Sequence, residues 1–313
     1  MTPAHPPASR HPASGAPGPV DVEPTSLASP PMSGREAEPP PAGTSHAVTP
    51  VSTSRHKAGQ RARRRLREVL PVAVAAAVFI VIWQAIVIVG GYPRFILPGP
   101  LVVGERFLSG WLEGIIGPHF VTTLSEVMLG LFVGGVAGIL TGIVLARSMI
   151  ASRLLSPYIV AAQATPILAL APLIALWFGT GLASRLLICA LICYFPIAVG
   201  TMVGIRSVDP RLVELGRSLK ATRWQILSRI EVPSALPQIL GGLRIGVTLA
   251  VVGAIVAEWA GGDQGLGVLI NVARGSMFDI PLMFATLLTI ALLGVALYLA
   301  VVSLERRLTG RRT

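Results

Sequence analysis

The sequence predicts an all-α membrane protein with about six transmembrane helices. Three observations lead there. First, 52% of the 313 residues are hydrophobic and 13% charged, with a mean hydropathy of +0.70, a composition that excludes an ordinary soluble globule. Second, apolar segments recur at about 68–90, 119–146, 154–178, 185–204, 238–259 and 281–303. Each can cross roughly 30 Å of hydrocarbon at about 1.5 Å per residue, and in lipid the backbone is satisfied within each segment only as helix. Third, the cations gather at the segment ends. The net charge of +11 therefore reads as membrane topology rather than as a nucleic-acid surface.

Residues 1–66 are a disordered tail rich in Pro, Ala and Ser, too poor in apolar groups to offset chain entropy. The tail ends in the basic cluster RHKAGQRARRRLR at 55–67, which reads as an anchor against anionic membrane lipid. The membrane domain spans 67–309. Arg147, Arg153, the 206–237 loop, Arg306, Arg307, Arg311 and Arg312 fall on the same side as that cluster. By the positive-inside rule that side, with both termini, is cytoplasmic.

The outer stretch 91–118 opens GYPRFILPGP. Pro98 and Pro100 bracket a turn, and 101–112 alternates apolar and polar residues at helical spacing, predicting a short helix at the outer interface.

The loop VDPRLVELGRSLKATRWQILSRIEVPSALP (208–237) is polar and strongly basic between two apolar runs. Asp209-Pro210 is a helix start, with Asp as cap and Pro at the first helical position. Leu212, Leu215 and Leu219 form one stripe. A break is expected at Lys220-Ala221-Thr222, then a second helix over 223–231 that Pro233 and Pro237 terminate. The stretch also looks like a helix-turn-helix DNA reader, but both of its ends enter the bilayer within a few residues, so no recognition helix could reach a major groove.

Cys189 and Cys193 lie four apart in an apolar run with no His nearby. They read as packing residues rather than a metal site or a disulfide. Candidate pathway residues are Gln163, Thr165 and Pro166, where prolines interrupt the third segment, together with Arg244, Thr248 and Glu258 in the fifth. Arg244 and Glu258 stand fourteen residues apart on nearly one helix face. Either both snorkel to opposite surfaces, or that face lines a pathway. Gly242, Gly246 and Gly253 near the same face suit close helix packing. Glu126 reads as interfacial.

At this point the residues resemble the permease subunits of binding-protein-dependent ABC importers, in particular the alkanesulfonate, taurine and nitrate branch. Glu214 matches the acid of that family's loop motif, and Ile230, Val232 and Pro233 match its end. FILPGP at 95–100, ATPILALAPLIALWFGTG at 164–181, GLRIGVTLAVVGAIVAEW at 242–259 and GLGVLI at 265–270 are similar to further stretches of it. Two positions depart: the motif's paired alanines are Leu215-Gly216 here, and its turn glycine is Lys220. A left-handed lysine costs on the order of 1 kcal/mol or more. The turn tolerates that cost, is shaped differently, or couples differently to its partner.

The resemblance implies a type I importer fold that forms the translocation pathway for a small solute such as an aliphatic sulfonate, taurine or nitrate. It implies a second permease chain, in the simplest case another copy of this one. It implies an extracytoplasmic substrate-binding protein and ATP-binding subunits gripping Arg211, Glu214, Leu215, Gly216, Leu219, Lys220, Ala221, Thr222 and Pro233. ATP and Mg would reside on those subunits, with no cofactor on this chain. One part stands independently. A P-loop needs a lysine followed by Ser or Thr, and the two lysines, Lys57 and Lys220, each precede Ala. The chain is therefore expected to be a transport subunit without an ATPase site. An ion-coupled secondary transporter is the alternative, but it needs a mid-membrane acid and inverted repeats, which the sequence does not display.

Overall fold

The computed structural model describes residues 54–164 and 167–310. The chain divides into two units, Met1–Arg61 and Ala62–Thr313. In the first, the described part is the helical start of α1 (Ser54–Gly90). The predicted tail over 1–53 lies outside the described residues.

The second unit is helical throughout its regular structure. After α1 come α2 (Pro100–Leu112), α3 (Ile116–Arg147), α4 (Met149–Ala164), α5 (Ile167–Phe178) and α6 (Leu182–Arg206). There follow α7 (Pro210–Ser218), α8 (Arg223–Ile226), a π-helical turn (Leu227–Glu231), α9 (Val232–Gly261), α10 (Leu266–Gly275) and α11 (Ile280–Thr309). Among the described residues, five helices are long and apolar enough to cross a membrane: Leu70–Gly90, Ile116–Arg147, Leu182–Arg206, Arg223–Gly261 and Ile280–Thr309. The third apolar segment departs from the expected single span and is divided between α4 and α5. Pro157 lies inside α4 and Pro172 inside α5, and an internal proline removes one hydrogen bond and collides with the preceding turn. Thr165 and Pro166, at the junction, lie outside the described residues.

The centre is a three-helix stack of α3, α6 and α9. Gly130, Gly134, Gly138 and Gly142 make a four-residue ridge on α3 that seats directly on the α6 backbone. A Cβ at Gly138 would stand 2.8 Å from the Tyr194 carbonyl, and one at Gly142 would stand 2.6 Å from that of Ala198. Such close approach is how helices gain dispersion contact in lipid, where water supplies no driving force between them. Gly242, Gly246 and Gly253 of α9 face α6 in the same manner, so the packing reading of these glycines holds. Cys189 and Cys193 are free and fully buried in this stack beside Val127, Ile197 and Ala250. α1 lies at the periphery, where Trp83 meets Phe284 of α11 at 6.0 Å between ring centroids.

The predicted short helix after the Pro98–Pro100 turn is α2, with Pro100 at its start. Arg106 on α2 reaches Asp279 Oδ2 at 2.7 Å and Glu113 Oε2 at 3.0 Å. Burial alone would push the Arg106 guanidinium down, but the hydrogen bonds and charges of Glu113 and Asp279 outweigh it and hold it up. Asp279 also caps α11 by accepting from Leu282 N at 2.9 Å. This one ion pair therefore fixes both the α2 position and the α11 start.

The loop helix departs from expectation in one respect. Pro233 and Pro237 do not end it: helix runs without interruption from Arg223 into α9 as far as Gly261. The π turn at Leu227–Glu231 absorbs the misfit, with Val232 N donating to Leu227 O five residues back. Widening one turn places Pro233 in the first turn of α9, where a missing N–H is tolerated.

Candidate functional site: the loop helix, a central recess and a buried polar cluster

The loop helix α7 begins as its sequence dictates, with the Asp209 side chain accepting from Arg211 N at 2.9 Å and Pro210 at the first position. Its end is a turn built on Lys220, whose φ is 55°. Ala221 N donates to Gly216 O at 3.0 Å and Lys220 N to Arg217 O at 2.9 Å. Those two bonds are the six-to-one and five-to-two pair of a Schellman cap, with lysine in the left-handed place where glycine is usual. Thr222 then opens the next helix through a capping box, accepting from Gln225 N at 3.2 Å while Thr222 N donates to Gln225 Oε1 at 2.8 Å.

Two back-to-back caps thus fold residues 209–226 into a rigid elbow. Gly216 is its buried hinge contact, because a Cβ there would meet Ile230 Cδ1 at 2.9 Å. The predicted leucine stripe faces outward: Leu212 is 44% exposed, Leu215 57% and Leu219 74%, with Trp224 at 72%. Arg211, Glu214, Lys220 and Thr222 are exposed around it, and Ala221 is half-buried. The elbow is tied to the membrane helices by Arg147 at the end of α3, which pairs with Glu231 at 3.0 Å and donates to Arg223 O at 3.1 Å.

A recess of about 620 Å³ opens beside the central stack. Gln163 of α4, Phe195, Val199 and Val203 of α6, and Gln238 and Ile245 of α9 contribute to its wall. Of the predicted pathway residues that are described, Gln163 alone lines it. Arg244 turns to the other side of α9, where it pairs with Glu305 of α11 and stands 5.7 Å from the Tyr298 ring centroid. Thr248 is exposed and spends its hydroxyl on Ile245 O at 2.8 Å.

Glu258 belongs to a third place, at the end of α9 away from the loop. Glu258 is 2% exposed and Glu126 of α3 is 0% exposed, so both carboxylates are enclosed by neighbouring helices. Helices α3, α6, α9 and α10 converge to bury them. Arg185 of α6 reaches Glu126 Oε1 at 2.9 Å and donates to Gln264 O at 3.3 Å. Glu258 Oε1 accepts from Thr123 Oγ1 at 2.6 Å, and Glu258 Oε2 accepts from Gly267 N at 2.5 Å. Leu266 N donates to Thr123 Oγ1 at 2.8 Å and Gly265 N to His119 Nδ1 at 3.0 Å. Three successive N–H groups entering α10 are therefore satisfied by side chains of α3 and α9, which is what a buried helix start requires. Gly265 has φ of 134°, and a Cβ there would collide with the Glu258 carboxylate.

Sequence reasoning missed this cluster. The available signal was Thr123 and Glu126 one turn apart in α3, together with Glu258, an acid three residues before the glycine-rich run GGDQGLG.

Comparison with known proteins agrees with this geometry. Residues 134–310 match the family described as binding-protein-dependent transport system inner membrane component. The riboflavin transport system permease protein of Chloroflexus aurantiacus is 43% identical over 239 residues, covering 76% of this chain and 89% of that protein. The taurine transport system permease protein of Escherichia coli is 32% identical over 238 residues, covering 74% and 86%. In fold, the chain is similar to a solved inward-facing structure of the MetNI methionine ABC transporter, with a TM-score of 0.54 at 20% identity, covering 59% of this chain and 92% of that one. These relatives are transport permeases rather than ATPases, and their class works with an ATP-binding subunit and a substrate-binding protein. The chain belongs to the binding-protein-dependent transport system inner membrane components, as a multi-pass permease subunit of an ABC importer.

Proposed function

We propose that this chain forms the membrane pathway for a small organic solute, that two copies pair to complete it, and that α7 is the element through which a separate ATPase drives it. The observation that carries the reading is the outward-facing stripe of Leu212, Leu215 and Leu219 on a capped, anchored helix. An apolar patch rimmed by Arg211, Glu214 and Lys220 is costly in water and suits a groove on a partner protein. ATP and Mg belong to that partner, and the loop side faces the cytoplasm, as the placement of Arg147, Arg153, Arg306 and Arg307 supports.

Push on α7 is transmitted through the two caps and the Arg147–Glu231 pair to α3 and α9, and α9 contributes Gln238 and Ile245 to the wall of the recess. Lys220 and Thr222 keep the elbow stiff, and Pro233 continues it into the membrane. The cargo is delivered by a binding protein at the opposite face. The solutes implied by the sequence resemblance, sulfonates, taurine and nitrate, draw support from the relative named for taurine. A heterocyclic cargo draws support from the more similar relative named for riboflavin.

The test is a pull-down of C-terminally tagged protein after gentle solubilisation. Wild type should bring down an ATP-binding subunit, and Glu214→Ala or Leu215→Glu should lose it while the membrane protein stays intact. Intact protein that never recovers an ATPase, with uptake surviving ATP depletion, would replace this reading with ion-coupled transport.

A further inference from the structure

Resting on the importer reading above, we propose that the central recess is a solute site for an uncharged cyclic amide or imide, and that Gln163 and Gln238 determine its specificity. Among the described residues, the recess walls contain no Lys, Arg, His, Asp or Glu. A sulfonate or nitrate held there would be an anion in apolar surroundings with no counter-charge, which is strongly disfavoured. Arg244, the cation nearest along α9, is engaged by Glu305 and does not line the recess.

Among the described residues, the polar side chains in the wall are the two glutamines, brought together from α4 and α9 although 75 residues separate them in sequence (238 − 163). Neither side-chain amide has a hydrogen-bond partner among the described residues. Both side chains are exposed in this single chain. Once lipid or a second copy covers the recess, an unpaired amide there costs free energy, and a solute with matching groups removes that cost where a lipid chain does not.

The chemistry of that solute follows from the wall. Each primary amide offers an N–H donor beside a C=O acceptor. The complementary edge is a lactam or imide, which presents the same pair in reverse. The Phe195 ring and the close crossing at Gly200 and Gly242 give the recess apolar, low-relief surfaces suited to the face of a planar ring. At about 620 Å³ the recess lies inside the range common for small-molecule sites. Few polar groups placed in an apolar wall is how such sites set orientation and selectivity.

The experiment is equilibrium binding to the purified complex of this chain with its co-purifying ATP-binding subunit. The radiolabelled probes are riboflavin and 1-methyluracil, each compared with its N3-methyl derivative, with taurine and propanesulfonate as competitors. Wild type should bind the imides saturably, and methylation at N3, which removes the donor, should weaken binding by at least about tenfold. Gln238→Leu and Gln163→Leu should weaken binding of the unmethylated imides by a similar factor and erase the preference over the N3-methyl forms. Gln238→Asn should recover part of that preference. A merely structural role for the glutamines would lower binding of both forms together.

Competition by the sulfonates at concentrations comparable to the imides overturns the inference. So does methyl discrimination unchanged in both leucine variants. Absence of saturable imide binding in a complex that contains its ATP-binding subunit also overturns it, while leaving the importer reading standing. Material that contains no ATP-binding subunit overturns the importer reading, and this inference with it.

Discussion

Lys220 holds a left-handed conformation, at φ 55°, for the sake of two backbone hydrogen bonds. The local cost is about 1–2 kcal/mol relative to glycine. Lys220→Gly should therefore raise stability by about 1 kcal/mol and slow hydrogen exchange across the α7 turn, read by mass spectrometry of the loop peptide; faster exchange would show that the lysine side chain itself holds the turn. The left-handed position was legible in the sequence through the resemblance, because a turn glycine is expected there. That lysine keeps the shape was not, because whether flanking caps outweigh a local cost depends on bonds between residues that sequence does not pair.

Arg185 gives the opposite case. It is the cation that reaches the fully buried Glu126. Removing one partner of a buried pair leaves an uncompensated charge, at about 3–5 kcal/mol. Arg185→Ala should lower the melting temperature in detergent sharply, and adding Glu126→Gln should recover most of the loss. Equal melting of the single and double variants would show that the pair does not carry this energy.

At the scale of elements, α7 and the α3–α6 contact make separable predictions. Leu215 and Leu219 are exposed, so Leu215→Glu should leave the isolated protein's stability within about 0.5 kcal/mol of wild type, with a nearly unchanged melting temperature, while abolishing ATPase recovery. Gly138 and Gly142 have the α6 backbone against them. Gly142→Leu should prevent the stack from forming and send the protein to degradation, read as lost full-length protein in membranes. Helix existence was legible in the sequence throughout, since apolar length and capping residues are local. Helix continuity was less so. Pro233 and Pro237 read as terminators, yet a π turn just before them carries the helix on. One widened turn leaves no mark in composition.

For the whole molecule, topology is the property that charge placement states and labelling tests. Cys189 and Cys193 are buried, so single cysteines can be introduced on a nearly silent background. Ser228→Cys in the loop should react with a membrane-impermeant maleimide only after the cells are opened. Asp263→Cys, beside α10, should react in intact cells. The reverse pattern would invert the orientation and remove α7 from any cytoplasmic partner.

The sequence by itself determined the class, the helical segments, the loop and the family, because hydropathy, capping and motif order are properties of consecutive residues. Only the tertiary structure decided which residues face one another. It pairs Arg244 with Glu305, and it encloses Glu126 and Glu258 in a buried cluster that holds the start of α10. It also set Gln163 beside Gln238 in one recess. A helix carries many residues on each face, and its rotation against its neighbours is set by where glycine ridges permit close approach, a pairwise fit that no single segment encodes.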